Sequence, residues 1–563
     1  MRFRGGRNLN SDIIRLTNAF DNDGYIVKKI VNSFNRVGIM AEHKTAVNYD
    51  TGMKKKAYYL EGTEYEMGYQ LGLLAENEIS AMTRDFANNV IPAFVGIGAS
   101  DKRGFIEELL ISVMSTLSKD EYSNLPREIR DEIQGICDGC KKSNPRTKVD
   151  IKHLFILNAG IDIICSMVYT GGFLLRNEHG LKPTDFNIPI MCNAFAVFGR
   201  AAGNGHYLGR DFMFPTANIF QDTAAHIIYN PINTRNRNSL PFVSITAPGM
   251  VGSISAMNMN GVGLGVDMSP AANCNTKRVG VNSILLTRMC AQFGHSINHA
   301  VEIMKGTPRG VSWNYIIADG KNDRACIVEA GSSNTDPGFL EHVPDDSKIL
   351  LPDNDFLNTH KSTEFQNGLM VRWNDYEYPI EYLNYNNALW KNYNKKSPLS
   401  RMMYSDAFNK KGYINRAPKE KNCPSTFYFA PQRETESDIV ITTNHYIIPE
   451  MRLYAMYPWT SSVVGEKIND IQWRYDELNY QILSTLEKKG SIDYPTARKL
   501  IDFLAPYGKY PSYYAGNPRS SDGREIRIEG CTSLFDLKNL TVESHYGYYC
   551  DDWVKTTLAY YFG

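Results

Sequence analysis

The chain lacks most of the features that would assign it at a glance. It has no surplus of either charge, with 61 Lys+Arg against 61 Asp+Glu in 563 residues. A protein that held nucleic acid mainly by bulk charge would carry a basic excess, so that class is set aside. Cysteine is scarce, ten in all, which excludes a disulfide-stapled scaffold. No apolar run approaches the roughly 18 residues that suggest a membrane span. There is no internal repeat and no low-complexity tract. What is present is 43% hydrophobic, 12% aromatic and 22% charged residues, a foldable globular composition. The length suffices for one large core or two to three domains.

Met1 to Gly6 is basic, but Asn8, Asn10, Ser11 and Asp12 stand where a secretory signal would need its apolar stretch. A cytoplasmic protein is therefore expected. Residues 1–56 read as an N-terminal extension ending in Lys54, Lys55 and Lys56. A strand is predicted at Ala57–Leu60. Thr63 and Glu66 then stand at capping-box spacing ahead of a helical pattern. Residues 57–191 are mostly helical by periodicity, including Phe105, Leu109, Leu110 and Met114. Near residue 190 the texture changes. Ala194–Gly199 and His206–Phe214, joined across Gly203-Asn204-Gly205, predict a β-hairpin. Further strands are predicted at Phe242–Thr246, Gly252–Met257 and Gly261–Met268, and a second hairpin at Tyr315–Ala318 and Ala325–Glu329. Residues 192–332 thus open a β-rich core. Residues 333–437, rich in Asn, Tyr, Asp, Lys and Pro, read as a polar insertion, and 438–563 complete the core. The expected class is α+β, with two antiparallel sheets flanked by helices.

Cys192 is the first candidate for chemistry, because it opens the hairpin at the boundary between helical and β-rich parts. A thiol there can be a nucleophile; the plain alternative is a small buried hydrophobe, as most free cysteines are. Cys137-Asp-Gly-Cys140 has the C-x-x-C spacing of a redox or zinc half-site, but no second Cys/His pair matches it. Gly199-x-x-x-Gly203-x-Gly205 is a turn and not a phosphate loop, since no GK[ST] follows.

Five segments in register then carry a family resemblance. They are Glu61-Gly62-Thr63-x-Tyr65-Glu66-x-Gly68; Cys192-Asn-Ala-Phe-Ala-Val-Phe with Gly209-Arg210-Asp211-Phe212; Asn258-x-x-Gly261-Val262-Gly263-Leu264; Asn314-Tyr315-Ile316-Ile317-Ala318-Asp319 ending in Val328-Glu329; and Thr443-Asn444-His445-Tyr446 with Pro449-Glu450-Met451. Together they resemble the isopenicillin-N acyltransferase-like family of N-terminal-nucleophile hydrolases, to which bile-salt hydrolases and penicillin V acylases are distant relatives. The resemblance implies a four-layer αββα sandwich and a precursor that cuts itself between Met191 and Cys192. The new α-amine would serve as base to the thiol on the same residue, since its reference pKa is about 7.7–8.0. The two fragments would stay together as a heterodimer. The substrate would be a small-molecule amide or acyl thioester, with water or an amine accepting the acyl group. No cofactor, metal, nucleic acid or membrane span is implied; a homo-oligomer is allowed.

Residue by residue, the resemblance makes Arg210 a neighbour that favours the thiolate. Asp211 and Met213 depart from the family's Asn and Asp; since positions 211 and 213 share a strand face, Asp211 is expected to contact the α-amine. Asp267 lies where acyltransferases have an oxyanion-holding asparagine, a poor substitution if ionised. Asn444 is the better oxyanion donor, because an amide donates without charge. Phe212, Met268 and His445 are expected on the substrate side. Two other readings stay open: an uncleaved binding protein of the same fold, and an ordinary Cys-His hydrolase using His206 or His445.

Overall fold

The computed structural model describes residues 9–48, 51–86, 90, 122–178, 191–213, 219–236, 238–269, 279–333, 368–377, 393–397, 400–401, 405, 413–415, 426–428, 433, 435–448, 451, 471–503, 530–547 and 552–562. The helical spacing at Phe105–Met114 and the Pro449-Glu450 part of the fifth motif lie outside them.

The chain starts with α1 (Leu9–Asn22) and strands β1 (Tyr25–Ser33), β2 (Arg36–Val47) and β3 (Lys54–Gly62). Helices α2 (Glu64–Leu74), α3 (Glu76–Asp85), α4 (Arg127–Ser143) and α5 (Ile151–Glu178) follow. The Thr63 side chain accepts from the Glu66 N–H and Glu66 reaches back to the Thr63 N–H, the capping box read from spacing. The hairpin is β4 (Met191–Phe198) and β5 (His206–Met213). Gly203 and Asn204 both take positive φ in its turn, +56° and +72°, the left-handed backbone that these two residues tolerate best.

Next come α6 (Ile219–Thr223), β6 (Ala225–Pro231), β7 (Phe242–Thr246), β8 (Ser255–Asn258) and β9 (Val262–Met268). Helices α7 (Ser283–Phe293) and α8 (Ile297–Gly306) lead to the hairpin β10 (Trp313–Asp319) and β11 (Arg324–Ala330). Short strands β12 (Leu369–Trp373), β13 (Tyr413–Asn415), β14 (Thr426–Tyr428) and β15 (Ile439–Thr442) precede α9 (Ile471–Lys489) and α10 (Tyr494–Phe503). The chain closes with β16 (Gly530–Asp536), β17 (Thr541–Gly547), β18 (Val554–Thr557) and α11 (Leu558–Phe562).

Two large sheets result. One runs β1-β2-β3-β6-β7-β8-β9-β10-β11-β12 and the other β15-β4-β5-β16-β17-β18. All their neighbours are antiparallel except β3 and β6, which run parallel. Strands β4 and β5 lie against β9; α7 and α8 cover the far side of the larger sheet, and α9 and α10 that of the smaller. The class is α+β, helix–sheet–sheet–helix, as expected. Strands at the sheet interface are buried on both faces, which is why β4 and β9 read as continuous apolar runs and not as alternating ones.

The terminal and inserted stretches belong to this frame. Residues 1–56, read as an extension, supply β1 and β2 at one end of the larger sheet. The 333–437 stretch supplies β12 at the other end, paired with β11. The C-x-x-C pair lies inside α4 with both thiols buried and free. Burial pushes Cys140 up to about 12 and Cys137 upward too, so neither is the thiolate that metal or redox chemistry needs. The glycine between them has its own reason. Gly68 and Gly72 of α2 face Gly135 and Gly139 of α4, and a Cβ built on Gly68 would lie 2.2 Å from the Glu132 carbonyl oxygen.

Because that obstacle is backbone, Gly68→Ala should destabilise the fold by about 1–3 kcal/mol, read as a lower urea midpoint. Gly306→Ala, whose added carbon meets nothing within 4 Å, should leave the midpoint unchanged or raise it. Equal midpoints for both variants would refute the close crossing.

Candidate active site

Register builds the site. In the β4–β5 pair, Cys192 stands opposite Phe212, Asn193 opposite Asp211 and Ala194 opposite Arg210. Alternation puts Cys192, Arg210 and Phe212 on one face and Asn193, Asp211 and Met213 on the other. The first face is the one between the sheets, since Arg210 reaches the carbonyl of Val266 and the carboxylate of Asp267 on β9. Asp211 accepts from the Thr532 hydroxyl at 2.9 Å on neighbouring β16. Its carboxyl therefore lies on the opposite face from the thiol, and the structure does not bring Asp211 to Cys192 as the shared face with Met213 suggested. Burial pushes it up to about 6.

Cys192 is buried, 2% exposed. Burial raises its thiol pKa; Arg210 opposes this, Asp267 adds to it, and the N–H groups of Met268 and Met213 oppose it. Arg210 Nη1 lies 3.3 Å from Asp267 Oδ1, with both side chains fully buried. Burial pushes Asp267 up to about 7, against the pull of Arg210 and Arg474. A buried ion pair must recover a large desolvation cost, and a carboxyl near neutrality is one way to reduce it.

Asn444 joins this group from the loop after β15. Its Oδ1 accepts from the backbone N–H of Cys192 at 2.8 Å, and its Nδ2 donates to the Met268 carbonyl at 2.8 Å. These partners, with Arg474, fix which end of the amide is oxygen. The loop is held by the motif on β10 and β11. Asn314 donates to the carbonyls of Thr443 and His445, at 3.1 and 2.9 Å. Glu329 accepts from the N–H groups of Ile447 and Ile448 at 3.0 Å, and the Tyr446 hydroxyl donates to the Ala330 carbonyl. Two of the motifs that carry the resemblance are thus one hydrogen-bonded unit.

Arg474, on α9, was not anticipated. Its Nη1 donates to the Cys192 carbonyl and to Asn193 Oδ1, both at 2.7 Å, and its Nη2 to Asn444 Oδ1 at 2.9 Å. A signal existed: Ile471, Arg474, Tyr475, Leu478 and Ile482 follow helical spacing, so a cation occupies the apolar stripe of an amphipathic helix.

Neither His206 nor His445 completes a Cys-His pair. His445 Nε2 meets Gln472 Oε1 at 3.0 Å, and its ring is edge-on to Tyr475, so it faces α9. Burial pushes it down to about 4. His206 stands opposite Phe198, six residues along the hairpin from the thiol, about 20 Å at strand rise. Among the described residues no group of three His, Cys, Asp or Glu side chains is arranged to hold a metal.

Phe212, which stands opposite Cys192, and Val266 line a small, mostly apolar pocket. Its other walls are Phe86, Leu157, Ile161, Phe220, Met250, Ile284 and Trp313, with Asn158 and Ser283 as polar members. Met268 and His445, expected on the substrate side, do not line it. Behind the wall, Asp162 accepts from Ser283 Oγ at 2.7 Å and Trp313 Nε1 at 2.8 Å.

A model of the acyl-coenzyme A:6-aminopenicillanic acid acyl-transferase family matches residues 208–368. The resemblance read from the motifs is borne out. The match includes Arg210, Phe212, Asp267, Met268, Asn314 and Glu329; Cys192, Asn444 and Arg474 lie outside it. An uncharacterized protein of Archaeoglobus fulgidus is 28% identical over 519 residues, 91% of this chain and 66% of that protein. The chain thus spans just under two thirds of that relative's length. Among solved structures, a mutant and a variant of the conjugated bile acid hydrolase from Clostridium perfringens align at 12% and 11% identity. They cover 66% and 65% of this chain and 93% of their own, with TM-scores of 0.31 and 0.29.

Asp162 yields a pH prediction. Burial raises its carboxyl from 3.8 to about 7, so the folded protein holds this proton more tightly than the unfolded chain does. Its contribution is full below about pH 4 and is lost as pH rises to about 7, an effect of roughly a few kcal/mol. Urea midpoints should fall over that window in the native protein and fall less in Asp162→Asn. Parallel curves would contradict the assignment.

Proposed function

We propose that the chain is a cysteine amidohydrolase or acyltransferase that activates itself by cutting between Met191 and Cys192. One observation carries this reading: Asn444 Oδ1, itself held by Arg474, accepts from the backbone N–H of Cys192, the residue that bears the thiol.

In the intact chain that nitrogen belongs to an amide and cannot act as a base. Asp267, next to the thiol and balanced near pH 7, takes the first proton. The thiolate, steadied by Arg210, attacks the Met191 carbonyl carbon. The C–N bond breaks, the Cys192 nitrogen gains a proton to become an amine, and a thioester remains. Water hydrolyses it, releasing a Met191 carboxylate and restoring the thiol. The freed α-amine, held by Asn444 Oδ1, is the base from then on, since its reference pKa of about 7.7–8.0 suits neutral pH. A substrate carbonyl follows the same course: the thiol attacks, its proton passes through the α-amine to the leaving amine, and an acyl-enzyme forms. Water or a second amine then takes the acyl group. The second hydrogen on Asn444 Nδ2 is available to the oxyanion. The apolar cavity beside Phe212 suits an apolar acyl group.

The fragments have reason to stay together, because β3 lies upstream of the cut and β6 downstream, yet they pair in one sheet. A second reading, an uncleaved binding protein, is favoured by the burial and raised pKa of the resting thiol.

A denaturing gel separates the two. Fragments comprising residues 1–191 and 192–563 should be seen, and should co-purify natively; Cys192→Ala should give one full-length band. A wild-type protein that stays whole would leave only the binding reading. In cleaved enzyme, Asn444→Ala should lower kcat for an amide substrate by about 10²–10³-fold with a smaller change in KM. A change confined to KM would remove Asn444 from the oxyanion role.

A further inference from the structure

The 333–437 stretch takes no part in the chemistry above, yet four of its side chains reach the helix that carries Arg474. Arg401 forks onto Glu477, with Nε 2.8 Å from Oε2 and Nη2 2.6 Å from Oε1, and the Tyr393 hydroxyl donates to Oε2 at 2.9 Å. Arg433 faces Asp476, with Nε–Oδ1 at 3.1 Å and Nη2–Oδ2 at 3.2 Å, and Ser405 Oγ donates to Oδ2 at 2.7 Å. All six side chains are buried. The contact continues inward. Gln472 Nε2 donates to Asp476 Oδ1 at 2.9 Å, so its Oε1 is the end that meets His445 Nε2 at 3.0 Å. A continuous line therefore runs Arg433–Asp476–Gln472–His445 and stops one residue from Asn444. Asp476 and Glu477 follow Arg474 by two and three residues, within one helical turn.

We propose that Arg401 and Arg433 are positioning residues for the active site: the 333–437 stretch clamps α9 so that Arg474 stays on Asn444 and the Cys192 carbonyl. The inference rests on Cys192 being the nucleophile. The physical reason is the pair of adjacent buried acids. Each is tolerated only while its arginine remains, because an unpaired buried carboxylate is strongly unfavourable. Without the clamp, the acids gain by turning toward water. The helix that turns them also withdraws Arg474, and with it the donor that fixes the Asn444 amide.

The test is the pH dependence of iodoacetamide alkylation at Cys192, followed by peptide mass spectrometry on the full chain. The charged groups that face the thiol's surroundings are Arg210 on β5, Asp267 on β9 and Arg474 on α9. Arg474→Gln removes one of the cations and should raise the alkylation midpoint by about one pH unit. Arg433→Gln should raise it similarly, Arg433→Lys should restore it, and Arg433→Gln should add nothing in the Arg474→Gln background, as coupled residues do. Fully additive shifts, or a lowered melting temperature with an unmoved midpoint, would overturn the proposal and leave Arg433 a stabilising residue only. Should Arg433→Gln not fold, Arg401→Gln, with Arg401→Lys as its rescue, carries the same comparison. If the thiol resists label in every form, hydrogen exchange at the Ile447 and Ile448 amides decides. Exchange at least tenfold faster there in the clamp variants supports the proposal, and unchanged exchange refutes it. A wild-type chain that remains whole on a gel sinks the self-cleavage reading without affecting this comparison.

Discussion

The Asn444 amide accepts from the Cys192 N–H and donates to the Met268 carbonyl, so one side chain spans from β4 of the smaller sheet to the end of β9 in the larger. Apolar burial between the sheets sets their separation but has no direction. It does not decide which backbone atom of one sheet meets which atom of the other. The polar bridge does. Arg474 extends it by holding the Asn444 oxygen and the Cys192 carbonyl together, and Glu329 and Asn314 extend it from below by fixing the loop. Removing any one of these leaves a buried donor or acceptor without its partner, which is costly in a dry interior.

Buried charge is the second constraint. Arg210, Asp267, Arg474, Glu329, Arg372, Asp476 and Glu477 all sit in the interior. Isolated, each would be unfavourable by several kcal/mol. They occur with partners: Arg210 with Asp267, Arg372 with Glu329, Arg433 with Asp476, Arg401 with Glu477. Arg474 donates to neutral oxygens beside the thiol, those of the Cys192 carbonyl, Asn193 and Asn444. A buried cation in a low-dielectric interior projects its field onto its neighbours. That field falls on Asp267, whose carboxyl it lowers.

How much of this was legible depends on what each residue needs. The hairpin around Cys192 was readable because Gly203 and Asn204 name a backbone conformation. The second hairpin and the capping box were readable for similar local reasons. Cys192, Arg210 and Asn444 came from motif resemblance, and the structure brings them together. Asp211 shows the limit. Period-two alternation says that 211 and 213 share a face; whether the thiol shares it depends on the β4–β5 register, which pairs Cys192 with Phe212 and so sets Asp211 on the other face. Arg474 was hidden on the apolar stripe of α9, where helical spacing marks a position as buried without saying what it meets. The stretches 1–56 and 333–437 read as outside the core because β1 and β12 are edge strands. One side of β1 meets water, with Lys28 and Lys29 exposed, and edge strands commonly carry such charges.

The position of the proposed cut follows from how β15 ends. Thr442 pairs with Ala194, so a ladder continued by two residues would set residue 444 opposite residue 192. The strand stops instead, and at that place a side-chain oxygen, not a backbone carbonyl, takes the Cys192 N–H. A backbone acceptor would lock the nitrogen into a sheet, where a newly made chain end tends to remain paired as a strand residue. In the proposed reaction, a side-chain acceptor that Arg474 also holds would let the nitrogen stay in place while the peptide on its other side is lost. Under that proposal the early end of one edge strand would do what a catalytic histidine does elsewhere: keep a nitrogen beside a sulfur without committing that nitrogen to the fold.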